Sequence, residues 1–351
     1  MRLSMVLVSI AALVWLLGAA GPAAAQCEPA GGIAFVCGPV TPEDLVAVPQ
    51  TPWIVVSSMV NEGHLYLANS ENHSSAVLFP SATAHERHDT ETYGTCPGPS
   101  TEGFRPHGLS LRPGENGTHT LYVVRHGGRE SVEVFELDAS GATPSITWVG
   151  CVVAPVSVDG NSVVALADGG FALTNFNRRG DPSAAGNLMS GGITGEVWEW
   201  HLDGGWRIVP GSEASGANGI EISEDGRWFY IATWGDQSFM RLSRGQTPIA
   251  KETIELGFNV DNLRWAPDGS LLAAGQGGGT QAVVACIAQG NCGAVTTNVA
   301  KIDPDTLASE EIIRHPSDGL VNAGTTALQV GDEIWVGQVG PGNRIARFPA
   351  P

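Results

Sequence analysis

Two stretches of this sequence repeat one pattern at a fixed distance. Ile222-Ser223-Glu224-Asp225-Gly226-Arg227-Trp228-Phe229-Tyr230-Ile231-Ala232 parallels Trp265-Ala266-Pro267-Asp268-Gly269-Ser270-Leu271-Leu272-Ala273-Ala274, and the two Asp-Gly pairs stand 43 positions apart. That period is the length of one four-stranded β-propeller blade. Further Asp-Gly pairs fall at Asp159-Gly160, Asp168-Gly169 and Asp203-Gly204, the dipeptide that takes the positive φ angles of two-residue hairpins. Between such turns lie short runs of β-formers at 53–56, 64–68, 121–124, 132–137, 170–174, 196–201, 228–233, 270–274 and 333–337. Helical periodicity is almost absent, so the chain reads as all-β. A β-sandwich or a pair of jelly rolls would use the same strands but predicts no repeat of this period. About 325 residues beyond the leader allow six or seven blades. No interdomain linker interrupts them, so one domain is expected over 26–351. Residues 83–105 and 178–194, rich in Gly, Pro and polar residues, read as long loops.

The first 25 residues read as a cleaved signal peptide. Arg2 precedes an uncharged apolar run, and Ala23-Ala24-Ala25 gives a small-residue cleavage pattern before Gln26. The run is short for a membrane span and no basic stop-transfer cluster follows, so no stable membrane anchor is expected after cleavage. The expected location is the periplasm or the extracellular space. All six cysteines follow the cleavage point. An even number in an oxidising compartment reads as a disulfide framework, with Cys27–Cys37 and Cys286–Cys292 as local staples and Cys96–Cys151 as the long-range bridge, one of fifteen possible connectivities. The formal net charge of −18 disfavours nucleic acid and anionic lipid as partners. It suits a cation-binding protein, and solubility alone accounts for it equally well.

The chain carries no G-x-S-x-G elbow, H-E-x-x-H motif, P-loop or complete EF-hand loop. What it offers is a scatter of oxygen-bearing residues just before predicted strands: Glu43-Asp44 ahead of Trp53, Asn161 ahead of Val163, Asn218 ahead of Ile220, and Asp261-Asn262 ahead of Leu263. One such residue alone is ordinarily a turn residue. Recurrence at blade-equivalent points is different, because the innermost strands of a propeller all begin near one mouth of the axial channel. Acids and amides converging there are the ligand set of a hard cation such as calcium.

At these residues the sequence resembles the paraoxonase group of calcium-dependent lactonases, within the wider gluconolactonase-like propellers. The resemblance rests on Pro106-His107-Gly108-Leu109-Ser110, Leu121-Tyr122-Val123-Val124-Arg125-His126, and Ser131-Val132-Glu133-Val134-Phe135. It extends through Glu43-Asp44-Leu45, Ala217-Asn218-Gly219-Ile220, Val260-Asp261-Asn262 and the stretch from Thr325-Thr326-Ala327 to Ile334-Trp335-Val336-Gly337. It implies a six-bladed propeller of four-stranded blades around a central metal-binding channel. It implies a catalytic calcium on Glu43, Asn161, Asn218, Asp261 and Asn262, with His107 and His126 at the rim as base or proton shuttle. The substrate implied is a small lactone or ester. The family holds a second calcium deeper in the channel. Asp44 and the Leu109 carbonyl match two of its ligands, but Ser162 stands where an aspartate would complete them, and the loss of that anion weighs against a second ion. Two other readings remain open: a non-catalytic propeller that uses the channel for ligand or protein binding, and a sugar lactonase of the gluconolactonase type, whose metal has fewer protein ligands.

Overall fold

The computed structural model describes residues 27–340 and 342–351, so the expected signal peptide lies outside the described residues. Their strands form six antiparallel sheets arranged in a ring, a six-bladed β-propeller. The first blade comprises β2 (Pro42–Ala47), β3 (Trp53–Ser58), β4 (Leu65–Asn69) and β5 (Ser75–Phe79). The second runs β7 (Arg105–Arg112), β8 (Thr118–His126), β9 (Ser131–Asp138) and β10 (Ser145–Val153), with β6 (His85–Glu86) added parallel to β10 at its outer edge. The third comprises β11 (Gly160–Ala165), β12 (Phe171–Asn175), β13 (Glu196–His201) and β14 (Gly205–Ile208). The fourth holds β15 (Ala217–Ile222), β16 (Trp228–Thr233), β17 (Ser238–Ser243) and β18 (Lys251–Glu255). The fifth holds β19 (Asn259–Trp265), β20 (Leu271–Gly277), β21 (Thr296–Ile302) and β22 (Ser309–Pro316). The sixth is built from both ends of the chain: β23 (Gly324–Val330), β24 (Glu333–Gln338) and β25 (Arg344–Pro349) are completed by β1 (Ala34–Cys37), which pairs Ala34 with Arg347 and Cys37 with Arg344. That exchange closes the ring by adding the chain's first strand as the outermost strand of the last blade.

The innermost strands touch in cyclic order, β2 to β7, β11, β15, β19, β23 and back to β2. Second strands are likewise buried on both faces because blades pack against each other on either side, which is why runs such as Leu271-Leu272-Ala273-Ala274 of β20 are continuously apolar rather than alternating. The 43-residue repeat is the blade period: Asp225-Gly226 joins β15 to β16, and Asp268-Gly269 joins β19 to β20. Asp168-Gly169 does the same between β11 and β12. In all three the glycine has positive φ, and the aspartate accepts an N–H two residues on. Asp159-Gly160 is not such a turn, since Gly160 begins β11; at Asp203-Gly204 the positive φ falls on Gly205.

Three disulfides join Cys27 to Cys37, Cys96 to Cys151, and Cys286 to Cys292. They accord with an oxidising environment. Among the described residues, two short α-helices interrupt the all-β pattern, α1 (Ala184–Ser190) and α2 (Thr280–Gln289). The sequence reading missed them because each is three turns or fewer and only Val283 and Cys286 of α2 are buried, too few positions for a helical stripe. Among the described residues no helix is long and apolar enough to cross a membrane.

Candidate metal centre

Each innermost strand breaks register with its neighbour at the same point, where two of its residues face one. Glu43-Asp44 lie opposite Ser57, His107-Gly108 opposite Val124, and Asn161-Ser162 opposite Thr174. Asn218-Gly219 lie opposite Ala232, Asp261-Asn262 opposite Ala274, and Thr325-Thr326 opposite Gly337. A bulge adds a residue to one strand and turns its side chain out of the pleat. The six bulges therefore fall at equivalent points of the innermost strands, around one axis. The candidate residues are not ahead of strands, as the sequence suggested, but within them; Glu43 and Asp44 belong to β2, not to the approach to Trp53. Glycine at the second bulge position lets blades close: a Cβ on Gly219 would lie 2.4 Å from the Asp261 carbonyl oxygen, and one on Gly108 would lie 2.5 Å from that of Asn161.

The bulge residues are buried, yet many lack partners. Glu43 Oε2 and the Oδ1 atoms of Asn161, Asn218 and Asn262 accept no hydrogen bond, and neither do the hydroxyls of Ser162 and Thr326. An unpaired buried polar atom costs about 1–3 kcal/mol. Four such oxygens on four blades, all among the residues proposed to hold calcium, fit a site for a hard cation. The remaining contacts orient them. Asn262 Nδ2 donates to Glu43 Oε1 at 2.6 Å, and Gln276 Nε2 donates to Asp261 Oδ2 at 2.7 Å. Thr325 Oγ1 donates to the Glu43 carbonyl at 2.6 Å. Burial, then the charge of Asp44, pushes the Glu43 carboxyl up to about 8. Burial and the neighbouring Glu43 push Asp261 well above the usual carboxylate range. Without a cation these two acids resist ionisation.

His107 sits at the rim of this ring, its Nε2 3.6 Å from Glu43 Oε1. Burial first, and then the nearby charges of His126 and Arg105, lower its pKa to about 3, so the ring is neutral near pH 7. His107 Nδ1 meets His126 Nε2 at 2.9 Å, and His126 Nδ1 lies 3.0 Å from both carboxylate oxygens of Glu130. One tautomer satisfies both contacts: His126 Nδ1–H donates to the Glu130 carboxylate and His126 Nε2 accepts. In that tautomer His107 Nδ1 donates to His126 Nε2, which leaves the lone pair of His107 Nε2 facing the channel. Glu130 is fixed in turn by the Gly160 N–H at 3.0 Å and by Arg179. The sequence reading did not single out Glu130; its only signal was its place four residues after His126.

His126, Glu130 and Asp159 also bring ligand-type atoms within 4.8 Å of one another. Arg179 Nη2 donates to Glu130 and, at 3.0 Å, to Asp159, so this acidic pair already has its cation.

The lower part of the channel is different. Asp44 accepts from the N–H groups of Leu45 and Leu109, both at 2.8 Å, and from Arg264 Nη2. Arg264 also donates Nε to the Leu45 carbonyl at 2.8 Å, Nη2 to the Leu109 carbonyl at 3.0 Å, and Nη1 to the Leu263 carbonyl at 2.8 Å and to Glu221 at 3.3 Å. Asp44 and the Leu109 carbonyl, the two residues matched to a second calcium, thus both bind a guanidinium.

No protein-family model and no curated protein matches the sequence. Solved structures do. A gluconolactonase from Xanthomonas campestris superposes with a TM-score of 0.54 at 13% identity over 93% of both chains. A luciferin-regenerating enzyme gives 0.54 at 13%, covering 90% of this chain and 95% of its own. The likeness is one of fold. Regucalcin, a calcium-binding protein from Agrobacterium tumefaciens, shares that propeller at a TM-score of 0.50 and 11% identity, over 89% of this chain and 90% of its own.

Proposed function

We propose that this chain is an exported, calcium-dependent hydrolase of lactones or esters. The observation that carries the reading is the set of unpaired buried oxygens of Glu43, Asn161, Asn218 and Asn262, joined by Asp261, on bulges of four different blades. Those five residues would hold the ion. When bound, calcium would polarise the substrate carbonyl and stabilise the negative charge that develops on its oxygen. His107 Nε2, unprotonated and open to the channel, accepts a proton from the attacking water. His126 and Glu130 hold the tautomer that keeps that lone pair free and take up the positive charge as it forms. The buried surroundings favour this chemistry, since charge interactions strengthen where water is excluded.

Substrate class follows from the rim. The loops joining second to third strands, and those leading into each next blade, lie at the end of the axis where the bulges face. They carry exposed Val156, Met189, Ile193, Val284 and Ile287. Leu188 of α1 and Val283 of α2 pack on one cluster with Trp234, roofing the third to fifth blades. An apolar rim over a charged floor suits an aliphatic or aromatic lactone better than a polyhydroxylated one. The gluconolactonase among the structural neighbours makes a sugar lactone the natural comparison substrate. The three disulfides support the exported location.

Purified protein assayed against both kinds of lactone and an aryl ester tests the reading. Turnover is expected with calcium, greater for the aliphatic lactone, and lost on chelation. Turnover indifferent to chelation, or calcium binding with no turnover across the panel, would overturn the hydrolase mechanism; the second result would favour a binding role.

A further inference from the structure

We propose that Arg264 is a built-in substitute for an internal metal ion: its guanidinium occupies a cation site on the propeller axis, and removing it would open that site to one additional calcium. Three observations support this. First, Arg264 is buried and its five N–H groups are all engaged, two on the carboxylates of Asp44 and Glu221 and three on backbone carbonyls of Leu45, Leu109 and Leu263. Every partner is an oxygen, and two carboxylates with three carbonyls is a set a hard cation would accept.

Second, the partners come from afar. Arg264 lies on the fifth blade, Asp44 on the first, Leu109 on the second and Glu221 on the fourth, with separations of 220, 155 and 43 residues. A charge that joins four blades across the axis does structurally what a multidentate ion does. Third, Glu221 and Arg264 occupy equivalent positions, each three residues after the first bulge residue of its strand. The repeat thus places an acid and a base side by side where other blades carry Val46, Ser110, Val164 and Leu328. The unpaired Ser162 hydroxyl, where an anionic ligand would strengthen a metal, agrees with a site that needs no further negative charge.

The test counts calcium per chain by elemental analysis and calorimetry in wild type, Arg264→Ala and Arg264→Met. The expected result is that each variant holds one more ion than wild type. In chelator the variants should melt about 10 °C below wild type, as expected when a buried ion pair is broken, and millimolar calcium should recover most of that loss. The readout is a difference between proteins, so whether wild type binds one ion at the upper ring or none does not affect it. Variants that fold and bind no extra ion would overturn the proposal. Should both variants fail to fold even in calcium, that too would overturn it, because the ion was to replace the guanidinium. An ion that Asp261→Asn still holds, and that is lost when Asp44→Asn is added, would equally contradict it, since it would sit at Asp44 with Arg264 in place.

Discussion

Glu43 and Asp44 are neighbours on one bulge, both wholly buried, and they meet opposite fates. Asp44 points down the axis, where two N–H groups and the Arg264 guanidinium saturate it. Glu43 points to the upper ring, where one oxygen accepts from Asn262, the other accepts nothing, and the nearest acids are Asp44 and Asp261. A buried carboxylate requires a compensating cation or a proton. Below, the sequence supplies the cation; above, under the proposed function, an ion from solution would supply it. A tethered cation stabilises the fold but offers substrate no open position, whereas an exchangeable ion can do both. Under the proposed function, the two halves of the channel would divide the labour between stability and chemistry.

The sharpest way to break this division is Asp261→Asn. It should lower kcat by about 10²–10³-fold, the scale of losing the charge stabilisation at the reacting oxygen, and should weaken calcium binding in calorimetry. In chelator near pH 8 it should raise the melting temperature, because it deletes a buried acid that lacks a cation. A fall in chelator like that expected of Arg264→Ala would erase the distinction between the halves. His107→Gln comes next. It should cost about a hundredfold in kcat as a lost general base, while calcium affinity measured by calorimetry stays within a few-fold of wild type. Loss of calcium binding by this variant would move His107 from the proton path into the metal's support.

The smallest effect is on stability against pH. Glu43, raised to about 8 from 4.5, contributes stability that is present at low pH and fades as pH climbs through 8; Asp261 acts in the same sense. His107, lowered from 6.5 to about 3, opposes this only below 6.5. Between pH 6.5 and 8.5 the calcium-free melting temperature should therefore fall, and calcium should flatten the slope by taking the place of the protons. Glu221, raised to about 7 by burial, adds a slope of the same sign from the lower half. Glu221→Gln should remove only the part that calcium does not flatten. A calcium-free profile that rises over this window would contradict the electrostatics of the upper ring.

The sequence carried the blade period because an Asp-Gly hairpin imposes a local geometry that reads the same at Asp225 and Asp268. It carried the ring of oxygen-bearing residues because Asn161, Asn218, Asp261 and Asn262 recur at blade-equivalent points. What it hid is the bulge, since a two-against-one pairing depends on the partner strand and not on the residue itself. It hid Arg264 for a related reason. Between Leu263 and Trp265 the arginine looks like an ordinary outward-facing residue, and its partners lie up to 220 residues away. Glu130 was hidden too, because its role depends on a histidine, an arginine and the Gly160 N–H that only the fold assembles.

A crystal structure grown in calcium, with the ion located by its anomalous signal, tests the upper ring most directly. The expected result is one ion about 2.3–2.6 Å from oxygens of Glu43, Asn161, Asn218, Asp261 and Asn262, with Arg264 still seated on Asp44 below it. An ion found instead between His126, Glu130 and Asp159, or an upper ring whose amides have turned to bond one another with no ion among them, would contradict it.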